Sequence, residues 1–482
     1  MKLYLQNHDD RYAIEQLQLA LFPDEPMEPA DRPAFSGDGA VSALHRGAVW
    51  LTAAARIRWH GKCARASCRL RADRETVQLR RRALARSYYL AAVQLLPEAP
   101  AWGALSGVRP TKLTTAHLLA GGTPRSADRM LRDDCFVTPA RRKLCLDCSI
   151  ATVKALKRLD KRSVSVYIGI PFCPTRCTYC SFVSQSIERC APLLETYLSC
   201  LLREVEAVGE GLRARGVGVS TLYIGGGTPT TLNAGQLRRL MEAVRAHFSL
   251  DGLLEYTVEA GRPDTLNEEK LGVLRELGCD RISINPQTMN PEALAAIGRR
   301  HSPDDTLRAF AEARQAGFRA INMDLIAGLP ADGPDSFADS LARLLALAPE
   351  NITVHTLALK KGADLFRARE ALPDTEAVAR MLGEGEHALR AAGYAPYYLY
   401  RQKYMSGSFE NVGWTRPGFD GLYNIYMMEE QQTILALGGG GMTKRLLPGG
   451  RLERQHNPKA PQQYIARIDD VLAKKEELIQ RL

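Results

Sequence analysis

The chain has 482 residues, far more than one ordinary domain, so we expect a large core domain and at least one more. Apolar residues make up 45% and charged residues 24%, as in soluble globular proteins, and no stretch approaches the roughly 18 uninterrupted apolar residues of a membrane helix. The net charge of +10 is concentrated at the front, since residues 1–160 carry 26 Lys and Arg against 16 Asp and Glu, while the rest carries 38 of each.

The front of the chain predicts a basic domain without a targeting signal. Its first residues carry acids where a signal peptide carries a basic and then an apolar run, so we expect a cytoplasmic protein. An opening strand and helix precede a β-rich middle, "AVWLTAAARIRWH" and "CARASCRL", and helices follow from about Glu75. We predict an α+β N-terminal domain over residues 1–160. Its dispersed arginines lack the interleaved aromatics of a nucleic-acid-binding surface.

From residue 163 onward, short β-branched runs alternate with longer helical patterns. The predicted strands are "SVSVYIGI", "STLYIG", "LLEYTVEA", "RISINP", "AINMDLIAG" and "NITVHTLAL". Six such repeats indicate parallel strands with right-handed crossovers, in a partial barrel rather than an open sheet, although periodicity does not separate the two. We assign residues 161–372 to this domain and 373–482 to a C-terminal domain. There the glycine run "LALGGGGMTK" predicts a hairpin turn.

Unusual polar residues follow each predicted strand. Three cysteines follow the first strand and "GGGTP" follows the second. Toward the ends of the remaining four strands lie, in order, Glu259, Gln287, Asp324 and His355. Because ligands of parallel α/β sheets bind at the carboxyl ends of the strands, we expect one binding site along this rim.

The three cysteines lie in "YIGIPFCPTRCTYCSF", as Cys173, Cys177 and Cys180. Eleven cysteines in a chain with no export signal favour free thiols or metal ligands over disulfides. Three thiolates around a 4Fe-4S cluster leave one iron open for a substrate. The alternatives are a zinc knuckle completed by Cys190 or Cys200, or simply buried thiols.

Two other motifs receive structural interpretations. We expect the cysteines of "CFVTPARRKLCLDCS" to be buried side chains, because the motif is short of metal ligands. "YIGGGTPTT" lacks the lysine of a phosphate-binding loop and the spacing of a dinucleotide fingerprint. Its consecutive glycines nevertheless let backbone amides approach a ligand closely.

The CxxxCxxC spacing after a first strand, with "GGGTP" after the next, resembles the radical S-adenosylmethionine (SAM) enzymes. More of the chain is similar to the oxygen-independent coproporphyrinogen III oxidases, also called coproporphyrinogen dehydrogenases. The motifs are "YIGIPFC", "GGGTPTTL", "VEAGRPDT", "RISINPQTMN", "NMDLIAGLP" and "TVHTLALK". "WGALSGVRPTKL" and "YYLYRQKYMSGSFENVGW" resemble the HemZ type in particular.

The resemblance implies an α/β fold, a radical SAM partial (β/α)6 TIM-like barrel with an N-terminal α+β domain and a C-terminal mixed, mainly helical extension. It also implies a 4Fe-4S cluster on the three cysteines, with Tyr167 in the catalytic group, and one or two SAM molecules. Cluster-bound SAM would contact Tyr167, Gly225, Gly226, Gly227, Thr228, Glu259 and Ala358. A second SAM would contact Tyr179, Gly227, Thr228, Gln287, Arg299 and Asp324.

The implied reaction is oxidative decarboxylation of two propionates of coproporphyrinogen III to vinyls, giving protoporphyrinogen IX in haem biosynthesis. The implied partners are this tetra-anionic porphyrinogen and an electron donor such as a flavodoxin or ferredoxin, with neither membrane insertion nor nucleic acid. Cations of the front domain, or Arg401, Lys403 and Arg416, are candidates to meet the substrate carboxylates.

Two positions depart from the best-known branch of the family. It carries a further cysteine where this chain has Phe182 and a histidine where this chain has Gly169. Since phenylalanine at the first position is also found in the related haem chaperones, a haem-binding role without oxidase activity is the alternative. An RNA-modifying radical SAM enzyme is a third hypothesis, prompted by the basic front domain.

Overall fold

The predicted strands after residue 163 all form, and they lie side by side. In a computed structural model, the described residues are 1–22, 25, 27–32, 37–180, 185–359, 363–367, 372–402 and 409–482. The chain divides into a front unit, Met1–Ser149, and a second unit, Ile150–Leu482. The three-domain division at residues 160 and 372 stays a prediction.

The front unit is built on a five-stranded sheet within the described residues. Its elements are β1 (Lys2–Gln6), α1 (Arg11–Leu21), β2 (Glu28–Pro29), β3 (Gly39–Arg46), β4 (Trp50–Trp59), β5 (Lys62–Arg71), α2 (Val77–Ala92), α3 (Thr111–Leu119), α4 (Pro124–Asp133) and α5 (Pro139–Leu156), the last crossing into the second unit. The strand order is β2-β1-β3-β4-β5. Helix α2 packs on one face of β4 and β5, and that face holds the apolar core.

The second unit begins with the parallel strands that the sequence predicts. Its first elements are β6 (Ser163–Ile170), β7 (Phe172–Cys173), β8 (Gln185–Ser186), α6 (Ile187–Ala214), β9 (Gly218–Gly226), α7 (Ala234–His247), β10 (Glu255–Glu259), α8 (Glu268–Glu276), β11 (Arg281–Ser283), α9 (Pro291–Ala296), α10 (Pro303–Gln315), β12 (Ala320–Ala327), α11 (Pro334–Leu347) and β13 (Asn351–Thr356). The strands β6, β9, β10, β11, β12 and β13 lie side by side in this order, and each neighbouring pair among them is parallel.

Local sequence explains where these helices start. The Gln236 N–H donates to Asn233 Oδ1 and the Asn233 N–H donates to Gln236 Oε1, so α7 begins with a capping box. Ser302 and Asp305 do the same for α10. The short crossovers therefore end at fixed positions, which places the strand ends on one edge of the sheet.

Residues after 373 extend this same sheet at both edges. They form α12 (Thr375–Ala391), β14 (Ala395–Arg401), β15 (Glu410–Thr415), α13 (Leu422–Glu429), β16 (Ile434–Gly438), β17 (Met442–Leu446), β18 (Leu452–His456), α14 (Pro461–Ala466) and α15 (Ile468–Ile479). β15 pairs antiparallel with β13, whereas β16 pairs in parallel with β6. β16 and β17 form an antiparallel pair across the glycine run, which confirms the predicted hairpin. None of the helices in the described ranges has the length and apolar character needed to cross a bilayer.

Candidate active site

A cavity of about 360 Å³ opens at the carboxyl ends of the parallel strands, where the sequence predicts a site. Of the predicted residues, twelve line it: Cys173, Cys177, Tyr179, Cys180, Gly226, Gly227, Thr228, Glu259, Gln287, Arg299, Asp324 and Ala358. Tyr167 and Gly225 lie directly behind this wall. The Tyr167 hydroxyl is 3.3 Å from where a Cβ on Gly226 would be, and a Cβ on Gly225 would be 2.9 Å from Glu259 Oε2.

The glycine run holds the start of the cysteine loop. The backbone N–H groups of Gly227 and Thr228 donate to the carbonyls of Ile170 and Phe172, at 2.8 and 2.7 Å. A Cβ on Gly227 would lie 2.5 Å from the Phe172 carbonyl and 3.0 Å from Cys173 Sγ. Only glycine permits this approach, so the second strand loop fixes the first cysteine.

Two side chains donate hydrogen bonds to the cysteine sulfurs. Arg262 Nη1 lies 3.2 Å from Cys177 Sγ, and its Nη2 donates to Thr175 Oγ1 at 2.7 Å. Thr228 Oγ1 lies 3.5 Å from Cys173 Sγ. Arg262 is buried, and the sequence analysis did not single it out although it lies in the quoted motif "VEAGRPDT". Donors to sulfur stabilise a thiolate and tune any cluster bound by it.

Glu259 is held between a tyrosine and the glycine run. Tyr223 Oη donates to its Oε1 at 2.6 Å, and the Gly226 N–H donates to its Oε2 at 3.2 Å. Burial raises the pKa of Glu259 to about 7, and the nearby Asp324 adds to the increase. Tyr223 stacks on Tyr423 at a ring-centroid distance of 4.4 Å, and Tyr167 lies against both rings.

The pKa of Asp324 is shifted in the direction opposite to that of Glu259. Although burial favours its neutral form, hydrogen bonds from His355 and Asn322 outweigh burial and lower the pKa of Asp324. Asn322 Nδ2 donates at 2.8 Å, and His355 Nε2 lies 3.5 Å from the other carboxylate oxygen. Gln287 lies beside this pair in the left-handed region, with φ of 72°, a strained backbone for a non-glycine residue.

Arg299 joins the cysteine loop to the strand ends. Its Nη1 donates to the carbonyls of Gly261 and Asn285, at 2.8 and 3.0 Å, and its Nη2 donates to Tyr179 Oη at 3.2 Å. Within the described structure, Arg299 Nε, Ser283 Oγ and Asn285 Oδ1 are buried atoms without a hydrogen-bond partner. Such polar atoms around a cavity indicate a polar ligand.

Side chains of β14, β15 and α13 close the far side of the cavity, and they were not among the predicted site residues. Tyr398, Tyr400, Asn411, Asn424 and Met428 line it. The aromatic run of β14 is the signal in the sequence, because alternate tyrosines of one strand face one side.

Two of the cations suggested for the substrate, Arg401 and Arg416, are not among the described residues that line this cavity. Arg401 lies within β14, opposite Glu410, and burial lowers its pKa to about 10. Arg416 is exposed. Lys403 and Phe182 lie outside the described residues.

The cysteine spacing does not suit a single zinc ion. Zinc holds thiolate sulfurs at about 2.3 Å and therefore within about 4 Å of one another. In the described part of the chain, the groups of three potential ligand atoms that lie within 4.8 Å of one another include none of Cys173, Cys177 and Cys180. Cys190 instead donates to Gln185 Oε1 at 2.8 Å.

Cys135, Cys145 and Cys148 are buried thiols, as expected.

A buried polar cluster supports the cysteine loop from behind. Tyr197 Oη donates to the Gly169 carbonyl at 2.6 Å and accepts from the Gly439 N–H at 2.8 Å. Glu204 accepts from the Gly438 N–H at 2.8 Å and from Tyr464 Oη at 2.6 Å. A Cβ on Gly438 would lie 2.3 Å from the Gly169 carbonyl, so the glycine hairpin is in direct contact with β6.

Comparison with known proteins shows which family, relatives and solved structure this chain is similar to. Residues 167–344 match the model of the radical SAM superfamily. The oxygen-independent coproporphyrinogen-III oxidase-like protein HemZ of Bacillus subtilis is 40% identical over 388 residues, covering 79% of this chain and 77% of that protein. The haem chaperone HemW of Escherichia coli is 30% identical over 63% of this chain and 75% of its own. The solved structure of coproporphyrinogen III oxidase (HemN) from Escherichia coli, a radical SAM enzyme, matches with a TM-score of 0.52 and 26% identity, over 66% of this chain and 72% of the other.

Proposed function

Because the chain belongs to the HemZ-type, oxygen-independent coproporphyrinogen III oxidase-like family of the radical SAM superfamily, we propose that it decarboxylates coproporphyrinogen III oxidatively to protoporphyrinogen IX. The superfamily implies a 4Fe-4S cluster and SAM. The observation that carries the proposal is the convergence of three cysteines, a glycine run and two carboxylates on one cavity. We further propose that the parallel strands form the partial (β/α)6 barrel of this superfamily.

The residues of the cavity suit these groups. Cys173, Cys177 and Cys180 would bind three irons, since their sulfurs are spaced too widely for one zinc ion and two of them already accept hydrogen bonds. The glycine cradle and the unpartnered Ser283 and Asn285 atoms leave both space and polar groups for SAM. When bound and reduced, the cluster and SAM supply a 5′-deoxyadenosyl radical.

The side chains around the cavity would bind and orient SAM and the substrate. Glu259 would accept from an ammonium or a ribose hydroxyl, and Tyr167 and Ala358 would border the same SAM molecule. Asp324, Gln287, Arg299 and Tyr179 form the second group, where a second SAM is proposed. Each of two substrate propionates would lose a β-hydrogen, carbon dioxide and one electron, leaving a vinyl group.

Reconstituted protein tests this under anaerobic conditions with SAM, a chemical reductant and coproporphyrinogen III. Protoporphyrinogen IX together with 5′-deoxyadenosine is the expected result. A flavodoxin or ferredoxin is the proposed natural reductant, and the cytoplasm the proposed location.

A haem chaperone is the second candidate, favoured by the 30% identity to HemW. It predicts tight haem binding with no conversion of coproporphyrinogen. Arg299, Gln287 and Asp324 argue for the oxidase, because a chaperone has no evident need for all three around one cavity.

A further inference from the structure

The outward face of the front sheet is basic and uncovered by helices α1 and α2. Along β4, Leu51, Ala53, Ala55 and Ile57 point into the core, so the alternate residues point outward. We call the outward side chains of β1, β3, β4 and β5 the arginine face.

Strand register orders this face into rows. Across β4 and β5 the outward pairs are Arg58 with Cys63, Arg56 with Arg65, Ala54 with Ser67, Thr52 with Arg69, and Trp50 with Arg71. Ala43 of β3 and Gln6 of β1 continue the row of Ala54. A row of small side chains therefore separates two basic flanks, which lie about 13 Å apart because alternate residues advance about 6.6 Å along a strand.

The row of small side chains is the floor of a groove. Gln6, Ala43, Ala54 and Ser67 line a concavity of about 670 Å³, with Arg65 at its side. Small residues keep the floor flat, so a planar group could lie on it with its edges toward the flanks.

Part of the positive charge of the face has no acidic partner in the described part of the chain, although Arg71 pairs with Asp73. Arg58, Arg65 and Arg69 are exposed and form no ion pair within the described residues, and the outward positions of these four strands contain no Asp or Glu there. Arg56 and Arg65 lie directly opposite each other, an arrangement that costs stability. Residues 1–149 carry 23 Lys and Arg against 15 Asp and Glu.

The cavity in the second unit has no such surplus. Among its described lining residues, Arg262 and Arg299 are matched by Glu259 and Asp324, and both guanidinium groups already donate hydrogen bonds. A ligand with four carboxylates therefore finds more unmatched positive charge on the arginine face.

We propose that the arginine face binds a tetrapyrrole through its peripheral carboxylates, with the macrocycle over Ala43, Ala54 and Ser67. Arg65 on one flank and Arg69 on the other would pair with carboxylates, since guanidinium groups bind carboxylates in a bidentate manner. This proposal rests on the proposed function for its ligand class. A nucleic acid fits less well, because the floor offers no aromatic side chain for base stacking.

The test is an absorbance titration of the full chain, without cluster reconstitution, with coproporphyrin III at about 0.15 M salt. Arg65→Glu and Arg69→Glu should each weaken binding about tenfold or more, the effect of losing one charged hydrogen bond. Arg125→Glu is the matched control, since Arg125 is an exposed arginine of helix α4 and not of the strands that form this face. It should bind as the unaltered protein does.

Two further variants separate the contribution of charge to binding from the contributions of fold stability and groove shape. Arg65→Glu places a carboxylate opposite Arg56, so its melting temperature should stay equal or rise while binding falls. Ala54→Phe changes no charge but fills the floor, and should also weaken binding. Deuteroporphyrin, with two carboxylates, should bind more weakly than coproporphyrin III.

Equal affinity of Arg65→Glu, Arg69→Glu and unaltered protein for coproporphyrin III would overturn the proposal. So would tight binding of a single-stranded oligonucleotide that Ala54→Phe leaves unchanged or strengthens. The proposed function fails separately: if reconstituted protein does not convert coproporphyrinogen III while these variants still lose porphyrin binding, the arginine face stands and the oxidase does not.

Discussion

The cavity has two walls that carry different charged groups. The loop wall carries Cys173, Cys177 and Cys180 with the guanidinium groups of Arg262 and Arg299, whereas the strand wall carries the carboxylates of Glu259 and Asp324. A bound molecule that has both an ammonium and a carboxylate, as SAM does, needs partners of both signs. The contrast shows that opposite charges at one rim come from different elements, loops on one side and strand ends on the other.

The two carboxylates of the strand wall have opposite pKa shifts. Burial raises the pKa of Glu259 to about 7, while His355 and Asn322 lower the pKa of Asp324. Near neutral pH, Asp324 is therefore the fixed negative charge of this wall, and Glu259 is the group whose charge changes.

Removing a thiolate from the loop wall should abolish function. In Cys177→Ala, we expect less than stoichiometric cluster and no 5′-deoxyadenosine, because two thiolates leave a second iron open. Iron per chain after reconstitution and product analysis measure this. Cys190→Ala is the control and should retain full iron, since Cys190 contacts Gln185 rather than the loop cysteines. Loss of iron there would mean that the site is not a three-cysteine site.

Neutralising the strand wall should change how stability depends on pH. The pKa of Glu259 is about 7 in the folded chain against 4.5 for a glutamate in water, so the unfolded chain releases this proton first and the free energy of unfolding falls as pH rises from 4.5 through 7. Glu259→Gln removes this loss, which is at most about 3 kcal/mol. Urea unfolding at pH 5 and pH 8 measures it. An identical difference between variant and unaltered protein at both pH values would contradict the assignment.

Removing the buried guanidinium should make the cluster harder to reduce. Arg262→Gln deletes a positive charge beside Cys177. A hydrogen bond to a charged group is worth about 1.5 kcal/mol, so we expect the midpoint potential to fall by on the order of 60 mV. Potentiometric titration followed by electron paramagnetic resonance measures the shift. Arg300→Gln, at an exposed ion pair with Glu188, should leave the potential unchanged.

The smallest effect is expected behind the loop wall. Tyr197→Phe removes the hydroxyl that joins Gly169 to Gly439, so we expect a loss of about 1 kcal/mol in stability and faster hydrogen exchange at the Gly439 N–H. Tyr256→Phe is the control, because that buried hydroxyl has no hydrogen-bond partner in the described structure. If both variants exchange alike, the hydroxyl of Tyr197 does not position the loop.

The sequence was informative wherever structure is local. The six parallel strands were predicted because β-branched runs alternate with capped helices. The rule about strand ends then placed the three cysteines, the glycine run, Glu259, Gln287, Asp324 and His355 at one rim, whereas Tyr179, Arg299 and Ala358 were predicted from the family resemblance. The glycine hairpin was predicted for the same reason, since its turn chemistry lies within a few residues.

Contacts between distant segments were missed. Arg262 gives no pattern of its own, and its role depends on Cys177, which lies 85 residues earlier. Likewise, β14 and β15 reach the cavity only because β15 pairs with the edge of β13, and periodicity does not specify which edge a late strand joins. The opposite pKa shifts of Glu259 and Asp324 also need three-dimensional neighbours.

The pairing of β16 with β6 has a consequence for the order of folding. Ile434–Gly438 pairs with residues 165–169, a sequence separation of 269 residues at its first pair, and Lys475 donates to Ala436 in the same hairpin. During synthesis, the strand that leads into the cysteine loop therefore keeps an open edge until β16 has emerged. Cofactor insertion into a fully packed loop is accordingly expected only after that point, and shorter nascent chains would expose an unpaired strand beside the loop cysteines.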